Sequence, residues 1–273
     1  ALKFLGFKFM EGDPSWANSI AAFCLWGKQQ LRGFEEFSPN LLDKCHIVGH
    51  PRFDDRCIKS NYVKHRNSNL AKTKLGLISR FSLINPFDLR NNFETIYTNC
   101  KSRFHHLQQE GSEIDVENLW HNNILDLRTI IEITEAADLK KYEIEIRVHP
   151  RENRGSWEEL INKYNLPLKL ATWDQPFIHW LENIDFAIAP PSTSFYDMWR
   201  IGMPTACFGN IYPQRRSHVL PLSDDTSEIL NYVPHPKSIS DLYKLIEKSS
   251  LNKGIEMPVE VEKLMEKDTD FPR

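Results

Sequence analysis

The chain has 273 residues, 41% hydrophobic and 26% charged, enough for one large or two modest globular domains with a sizeable core. A net charge of -3 gives no global basic field for a nucleic-acid backbone, so nucleic acid is not an expected partner. No apolar run approaches the roughly 20 residues needed to cross a bilayer, and no signal-peptide pattern is visible.

Ala1 is not an initiator Met, which suits a processed, trimmed or partial chain. "AFCLW" (22–26) and "CHIV" (45–48) read as short buried strands, with "GKQQLRGFEEF" between them as a helix. This β-α-β unit is the only regular part of an amino-terminal, Rossmann-like region assigned to residues 1–57. Residues 58–74 are polar and basic and read as a linker. A complete Rossmann-like domain is expected over 75–250, followed by a charged tail at 251–273.

Within that domain "LGLISRFSLIN" (75–85) contains the first strand. Val116, Trp120, Ile124, Leu127 and Ile131 recur at helical spacing and are expected on one buried face. "YEIEIRV" (142–148) is the second strand. Ser156 and Glu159 form an S-x-x-E capping box that opens a helix, with Trp157, Leu160, Ile161 and Tyr164 on its inner side. "LKLAT", "DFAIA" and "PTACF" are three more strands, separated by the helical stretches "PFIHWLENI" and "SFYDMWRIG", and "SISDLYKLIEKS" closes the domain. Strand-helix alternation at this spacing predicts an α/β fold with a doubly wound parallel sheet in the order 3-2-1-4-5.

In such sheets ligands bind beyond the carboxyl ends of the strands. Three polar turns fall there: "NPFDLRNN" from Asn85, "HPRENRGS" from His149 and "PPSTSFYD" from Pro190. Ser192, Thr193 and Ser194 place hydroxyls where a helix starts, which suits either an N-cap or a phosphate. His149 either bonds a neighbouring carbonyl or donates to a phosphate oxygen. Arg151 is a candidate partner for the phosphate. Arg154 reads as a solvated loop charge. Asp197, one turn after Thr193, is either a dipole-favoured acid or a substrate contact. Arg215 and Arg216 are surface charges or an acceptor clamp.

Other chemistries lack their motifs. There is no GxGxxG after a strand, no GxxxxGK[ST] and no GxSxG elbow. No metal and no cofactor is expected; His105-His106 is not a metal pair, because adjacent helical residues point apart. Cys24, Cys45, Cys57, Cys100 and Cys207 are scattered and never form CxxC, so they read as reduced thiols of a cytoplasmic protein.

"CLWGKQQL", "CHIVGHPRFDD", "LINPFDLRNN", "IEIRVHPREN" and "APPSTSFYDMWRIGMPTACF" follow one another in an order that resembles bacterial surface-carbohydrate (capsule and O-antigen) biosynthesis proteins. The His-Pro and Ser-Thr pairs also look like the nucleotide-binding signature of bacterial sialyltransferases and 3-deoxy-manno-octulosonic acid (Kdo) transferases. The resemblance implies a GT-B glycosyltransferase that moves a sugar, such as Kdo or another acidic sugar, from a CMP-type nucleotide-sugar donor to an oligosaccharide or lipid-linked glycan acceptor. His149, Pro150, Ser192 and Thr193 would then meet the donor's phosphate and ribose. It also implies a place in the bacterial cytoplasm, with peripheral association at the inner membrane or with assembly enzymes.

The stretch "VGHPRFDD" corresponds to a family turn in which His50 stands in place of an Asn; Arg52 faces donor or acceptor in that reading. The family's amino-terminal domain is about twice as long as residues 1–57, so either a segment of a longer enzyme or a reduced homologue is expected. Glu11 and Asp13 are the nearby carboxylates in "FMEGDPSW" and read as a surface turn. Rival readings are a CDP-glycerol-type polyol phosphotransferase, a sugar-nucleotide epimerase, or a non-catalytic nucleotide- or glycan-binding module.

Overall fold

The computed structural model describes residues 15–25, 27–49, 72–87, 98, 116–212 and 230–249. They fall into two compact units: one holds the described residues from 15 to 49 with 230–232, the other holds the rest.

In the first unit a 3-10 turn (Ser15–Ser19) precedes β1 (Phe23–Leu25), α1 (Lys28–Phe37), a second 3-10 turn (Pro39–Lys44) and β2 (Cys45–Ile47). β1 and β2 pair in parallel from Phe23 opposite Cys45 to Leu25 opposite Ile47. Parallel strands need a crossover, and α1 provides it. Ala17, Leu25, Phe34 and Leu41 make a small core, with the Phe23 and Phe34 rings 5.0 Å apart. The Lys44 ammonium donates to the Ala17 carbonyl at 3.2 Å and ties the first turn to the second. Gly49, just past β2, has φ of 75°, a conformation that a side chain would strain.

The second unit is built on β3 (Thr73–Ile78), β4 (Tyr142–Arg147), β5 (Lys169–Leu170), β6 (Phe186–Ala189) and β7 (Thr205–Cys207). All are parallel, in the order β5-β4-β3-β6-β7. That is 3-2-1-4-5, the expected doubly wound order. The helices are α2 (Val116–Glu135), α3 (Arg154–Tyr164), α4 (Phe177–Leu181), α5 (Ser194–Arg200) and α6 (Ile239–Ser249).

Alternation along the strands decides which helix covers which face. Leu75 and Leu77 of β3 and Tyr142, Ile144 and Ile146 of β4 join one core with Ile130, Ile133, Trp157, Leu242 and Ile246, so α2, α3 and α6 lie on that face. Gly76 points the other way, against Trp180 and Ile184, which puts α4 on the opposite face. Helices therefore cover both sides of the sheet. The Tyr243 hydroxyl locks α6 to α2 by donating to the Ile133 carbonyl at 2.6 Å.

Two local expectations need correcting. Ile124 and Tyr164 are exposed rather than buried. On α2 the buried face turns instead toward Ile130 and Ile133, with Thr129 and Thr134 among them. Those threonines tolerate burial because their hydroxyls bond back to the Leu125 and Ile130 carbonyls at 2.8 and 2.7 Å. The capping box is also displaced. α3 starts at Arg154, and its cap is Asn153, whose Oδ1 accepts the Ser156 N–H at 3.1 Å. Asn153 is held by the loop after β3, and that tertiary tie sets the helix start.

Cys24, Cys45 and Cys207 are free thiols; Cys57 and Cys100 lie outside the described residues, as does 58–71 of the expected linker.

Candidate functional site

Since β4 and β6 flank β3 in parallel, their carboxyl ends share one edge. The loops beginning at Ser79, Val148 and Pro190 leave from that edge. Ser79 joins the first two: its N–H donates to the Arg147 carbonyl at 3.1 Å, and its Oγ accepts the His149 N–H at 2.8 Å.

A clasp of four hydrogen bonds continues the joint. Phe87 N–H meets the Arg151 carbonyl at 2.9 Å, and Asn153 N–H meets the Asn85 carbonyl at 3.2 Å. The Asn85 amide donates to the Asn153 carbonyl at 2.9 Å, and the Asn153 amide returns a bond to Phe87 O at 3.2 Å. The amide nitrogen of Asn85 is thus engaged in holding two loops together. Its Oδ1 is buried and makes no hydrogen bond among the described residues.

His149 is half-buried. Its Nδ1 accepts the Arg151 N–H at 3.1 Å, so in the neutral ring the proton sits on Nε2, which becomes the donor. Burial depresses its pKa, and the positive charges of Arg151 and Arg80 depress it further. At pH 7 the ring is therefore a neutral N–H donor beside two guanidinium groups. Arg151 and Pro150 are both exposed on the turn.

Arg80 was not among the residues singled out from the sequence. It leaves the end of β3, its guanidinium donates to the Pro191 carbonyl, and its charge reaches His149. Arg80 is thus bonded to the Ser-Thr turn while its charge acts on His149. The available signal was its place just past a buried strand, the place His149 also occupies.

At the Ser-Thr turn, Ser192 Oγ accepts the Ser194 N–H at 3.2 Å and lies 2.9 Å from the Ser194 hydroxyl. Two of the three hydroxyls thus serve the turn itself. Thr193 is exposed and makes no side-chain capping bond. α5 has only seven residues, so its dipole is a minor source of positive potential. Asp197 is buried on α5. Beyond β7, Gly209 packs so closely on Pro191 that a Cβ would lie 3.2 Å from its Cδ.

A second unanticipated residue lies under the site. Glu152 is fully buried, its Oε1 accepting the Phe81 N–H at 2.6 Å and its Oε2 the Trp157 indole N–H at 3.0 Å. Arg154, by contrast, is structural: it donates to the Ala171 carbonyl at 2.7 Å and pairs with Glu158 at 3.3 Å.

His50, Arg52, Arg215 and Arg216 lie outside the described residues, as do His105, His106, Glu11 and Asp13. Among the described residues no three His, Cys, Asp or Glu side chains cluster as a metal site requires, and no helix is long and apolar enough to cross a membrane.

No protein-family model matches the chain, and no characterised protein matches it by sequence. It is similar to solved structures of the wall teichoic acid polymerase TagF. One, a variant soaked with CDPG, has 12% identity over 91% of this chain and 49% of that chain, with a TM-score of 0.40. Another TagF structure has 13% identity over 91% of this chain and 51% of that one, with a TM-score of 0.38. The chain spans about half the length of these relatives.

Proposed function

We propose that the chain is the donor-binding part of a glycosyltransferase of bacterial surface-polysaccharide assembly. Its donor in this reading is a nucleotide-sugar, with a CMP-linked acidic sugar such as Kdo favoured, and its acceptor is an oligosaccharide or lipid-linked glycan. The supporting observation is the constellation around His149: an Nε2–H donor with a fixed tautomer, flanked by Arg80 and Arg151, with Arg80 also bonded to the Ser-Thr turn. It offers an N–H donor and positive charge, the groups a phosphate needs.

In the reaction an acceptor hydroxyl oxygen attacks the anomeric carbon and the bond from that carbon to the phosphate oxygen breaks. Its electron pair stays on the phosphate, and the hydroxyl proton leaves to a base or to water. The charge that develops on the phosphate falls where Nε2–H and the guanidinium groups stabilise it without rearrangement. Arrival of the anion favours the protonated ring and so raises the His149 pKa from its depressed value. The exposed Thr193 hydroxyl, with Ser192 and Ser194, is assigned to the phosphate or ribose. Asn85 and Pro150 shape the loops. His50, Arg52, Arg215 and Arg216 are assigned to outer contacts with donor or acceptor, and Asp197, buried on α5, is not one of them.

On this reading residues 1–57 belong to the acceptor side, and the donor domain, expected from residue 75, already begins at Thr73 with β3, which shortens the expected linker of 58–74. The protein works in the bacterial cytoplasm, at the inner face of the membrane.

Calorimetry with CMP tests the binding step. His149→Ala, Arg80→Met and Thr193→Ala should each weaken CMP by about tenfold, the scale of one charge-assisted hydrogen bond. Lys140→Ala, at the amino-terminal edge of the sheet, should leave it unchanged. Equal affinity in all four variants would overturn the site. A product assay with CMP-sugar, UDP-sugar and CDP-glycerol donors then identifies the group transferred; binding without turnover on any donor would favour a binding module.

A further inference from the structure

The hydrogen-bond ladder between β3 and β4 does not stop where the strands end; it changes partners. Rungs of a parallel ladder recur every two residues along each strand. The last main-chain rung runs from the Ser79 N–H to the Arg147 carbonyl at 3.1 Å. Continued along both strands, the pattern would join the His149 N–H to the Ser79 carbonyl and the Phe81 N–H to the His149 carbonyl. Neither donor goes there. The His149 N–H donates to Ser79 Oγ at 2.8 Å, while that hydroxyl donates to the Arg147 carbonyl at 3.3 Å. The Phe81 N–H donates to Glu152 Oε1 at 2.6 Å, and the His149 carbonyl accepts the Glu152 N–H at 2.9 Å.

Two side chains thus stand in for main-chain partners. A buried N–H left without an acceptor is costly, so strands that separate at a buried position need such replacements. A carboxylate set between the two chains keeps them further apart than a direct N–H···O=C bond would. The peptide that carries the Phe81 N–H also carries the Arg80 carbonyl, so its bond to Glu152 fixes the backbone from which the Arg80 side chain leaves. On the other strand the Glu152 N–H fixes the His149 carbonyl. Trp157 completes the placement: its indole N–H donates to Oε2 at 3.0 Å, and its ring packs on Phe81 with centroids 5.7 Å apart. Both oxygens of this fully buried side chain accept, a condition that an ionised carboxylate meets and a carboxamide does not.

We infer that Glu152 is a positioning residue whose carboxylate replaces the next main-chain rung between β3 and β4, and so sets the gap between Arg80 and His149 that receives the phosphate. The inference deepens the proposed phosphate site and rests on that reading for its ligand. The replaced rung itself is measurable without one.

The test combines amide hydrogen exchange, read by NMR, with CMP calorimetry on the full chain. In wild type the Phe81 N–H, three residues beyond the end of β3, should exchange as slowly as the strand amides. Glu152→Gln sets an NH2 against one of two N–H donors, so it should speed Phe81 exchange and weaken CMP by about tenfold. Trp157→Phe removes the indole donor. In that background Gln can turn its oxygen to Phe81 and its NH2 to the phenyl ring, so Glu152→Gln should change both readouts far less. A side chain acting through charge alone would lose as much in either background. Fast Phe81 exchange in wild type, or an equal loss in both backgrounds, overturns the inference; the wild-type exchange decides the matter if Glu152→Gln does not fold. If exchange behaves as expected but CMP binds to no variant including wild type, the rung stands and the nucleotide reading fails. If CMP binds and the exchange pattern does not appear, the nucleotide reading stands and the inference falls.

Discussion

Gly76 is the residue on which the two faces of the larger sheet depend most directly. It sits in the central strand, paired to Glu145 on one side and Ala187 on the other. A Cβ placed there falls 2.8 Å from Ile184 Cγ2, 2.9 Å from Trp180 Cη2 and 3.0 Å from Ile184 Cγ1. Neither neighbour can easily retreat. The Trp180 indole is anchored by its N–H to Glu145 Oε1 at 2.6 Å and stacks on Phe177 at 5.8 Å. Ile184 is buried, and its N–H is bonded to the Leu181 carbonyl at 2.9 Å. Overpacking of this kind costs about 1–3 kcal/mol. Removing glycine's freedom in the unfolded chain returns about 0.4–1 kcal/mol. Gly76→Ala should therefore destabilise by about 1–2 kcal/mol, read as a lower urea midpoint at unchanged slope with tryptophan fluorescence as the probe. The sharper measurement is a double-mutant cycle with Ile184→Ala, which deletes two of the three clashing atoms. In that background the added methyl should cost less or nothing, leaving a favourable coupling of about 1 kcal/mol. If Gly76→Ala matches wild type, or the cycle shows additivity, the close approach of α4 to β3 is wrong.

His149 predicts a pH signature. Its native pKa lies below the ordinary value of about 6.5, so as pH falls the unfolded chain takes up the proton first. The stability it contributes is complete above pH 6.5 and is lost as pH falls toward the native pKa, with a slope of at most about 1.4 kcal/mol per pH unit. His149→Asn removes that loss, so urea midpoints of variant and wild type should converge or cross between pH 7.5 and 5; parallel curves would refute a neutral ring. Glu152, whose pKa is raised by burial, works in the opposite sense, but both proteins share it and it cancels. Gly209→Ala places a Cβ 3.2 and 3.3 Å from two Pro191 ring atoms. It should shift the Ser192 turn and weaken CMP binding by several-fold with less effect on stability, measured by calorimetry beside urea titration.

The strands were legible because each shows a short apolar run, as in Phe186–Ala189, or an alternation, as where Ile144 and Ile146 alternate with Glu143 and Glu145. Periodicity was less informative where polar residues share the buried face. On α2 the threonines at 129 and 134 satisfy themselves within the helix and enter the core, a choice that hydrophobic spacing does not register. The cap at Asn153 was missed for a related reason. Ser156 and Glu159 satisfy the local rule, but Asn153 is held by Asn85 and Phe87, about 68 positions away.

Topology explains both what the sequence revealed of the site and what it hid. Ile78 stands opposite Arg147, and Leu77 opposite Ile188, so positions 80, 149 and 191 fall in one row, each two residues beyond its strand. His149 was singled out because histidine carries an evident chemistry. Arg80 occupies the equivalent position on the central strand, yet an arginine in a loop reads as solvated charge until the register is known. Once the row is set, Arg80 has a partner on each side, a ring whose protonation its charge disfavours and a carbonyl that orients it. Glu152 completes the argument from below. A carboxylate three residues past the histidine cannot be told from a surface charge by spacing alone, and only the fold shows that it faces inward to two N–H groups 71 and 5 residues away. The chemistry of this edge therefore follows from register first and residue type second.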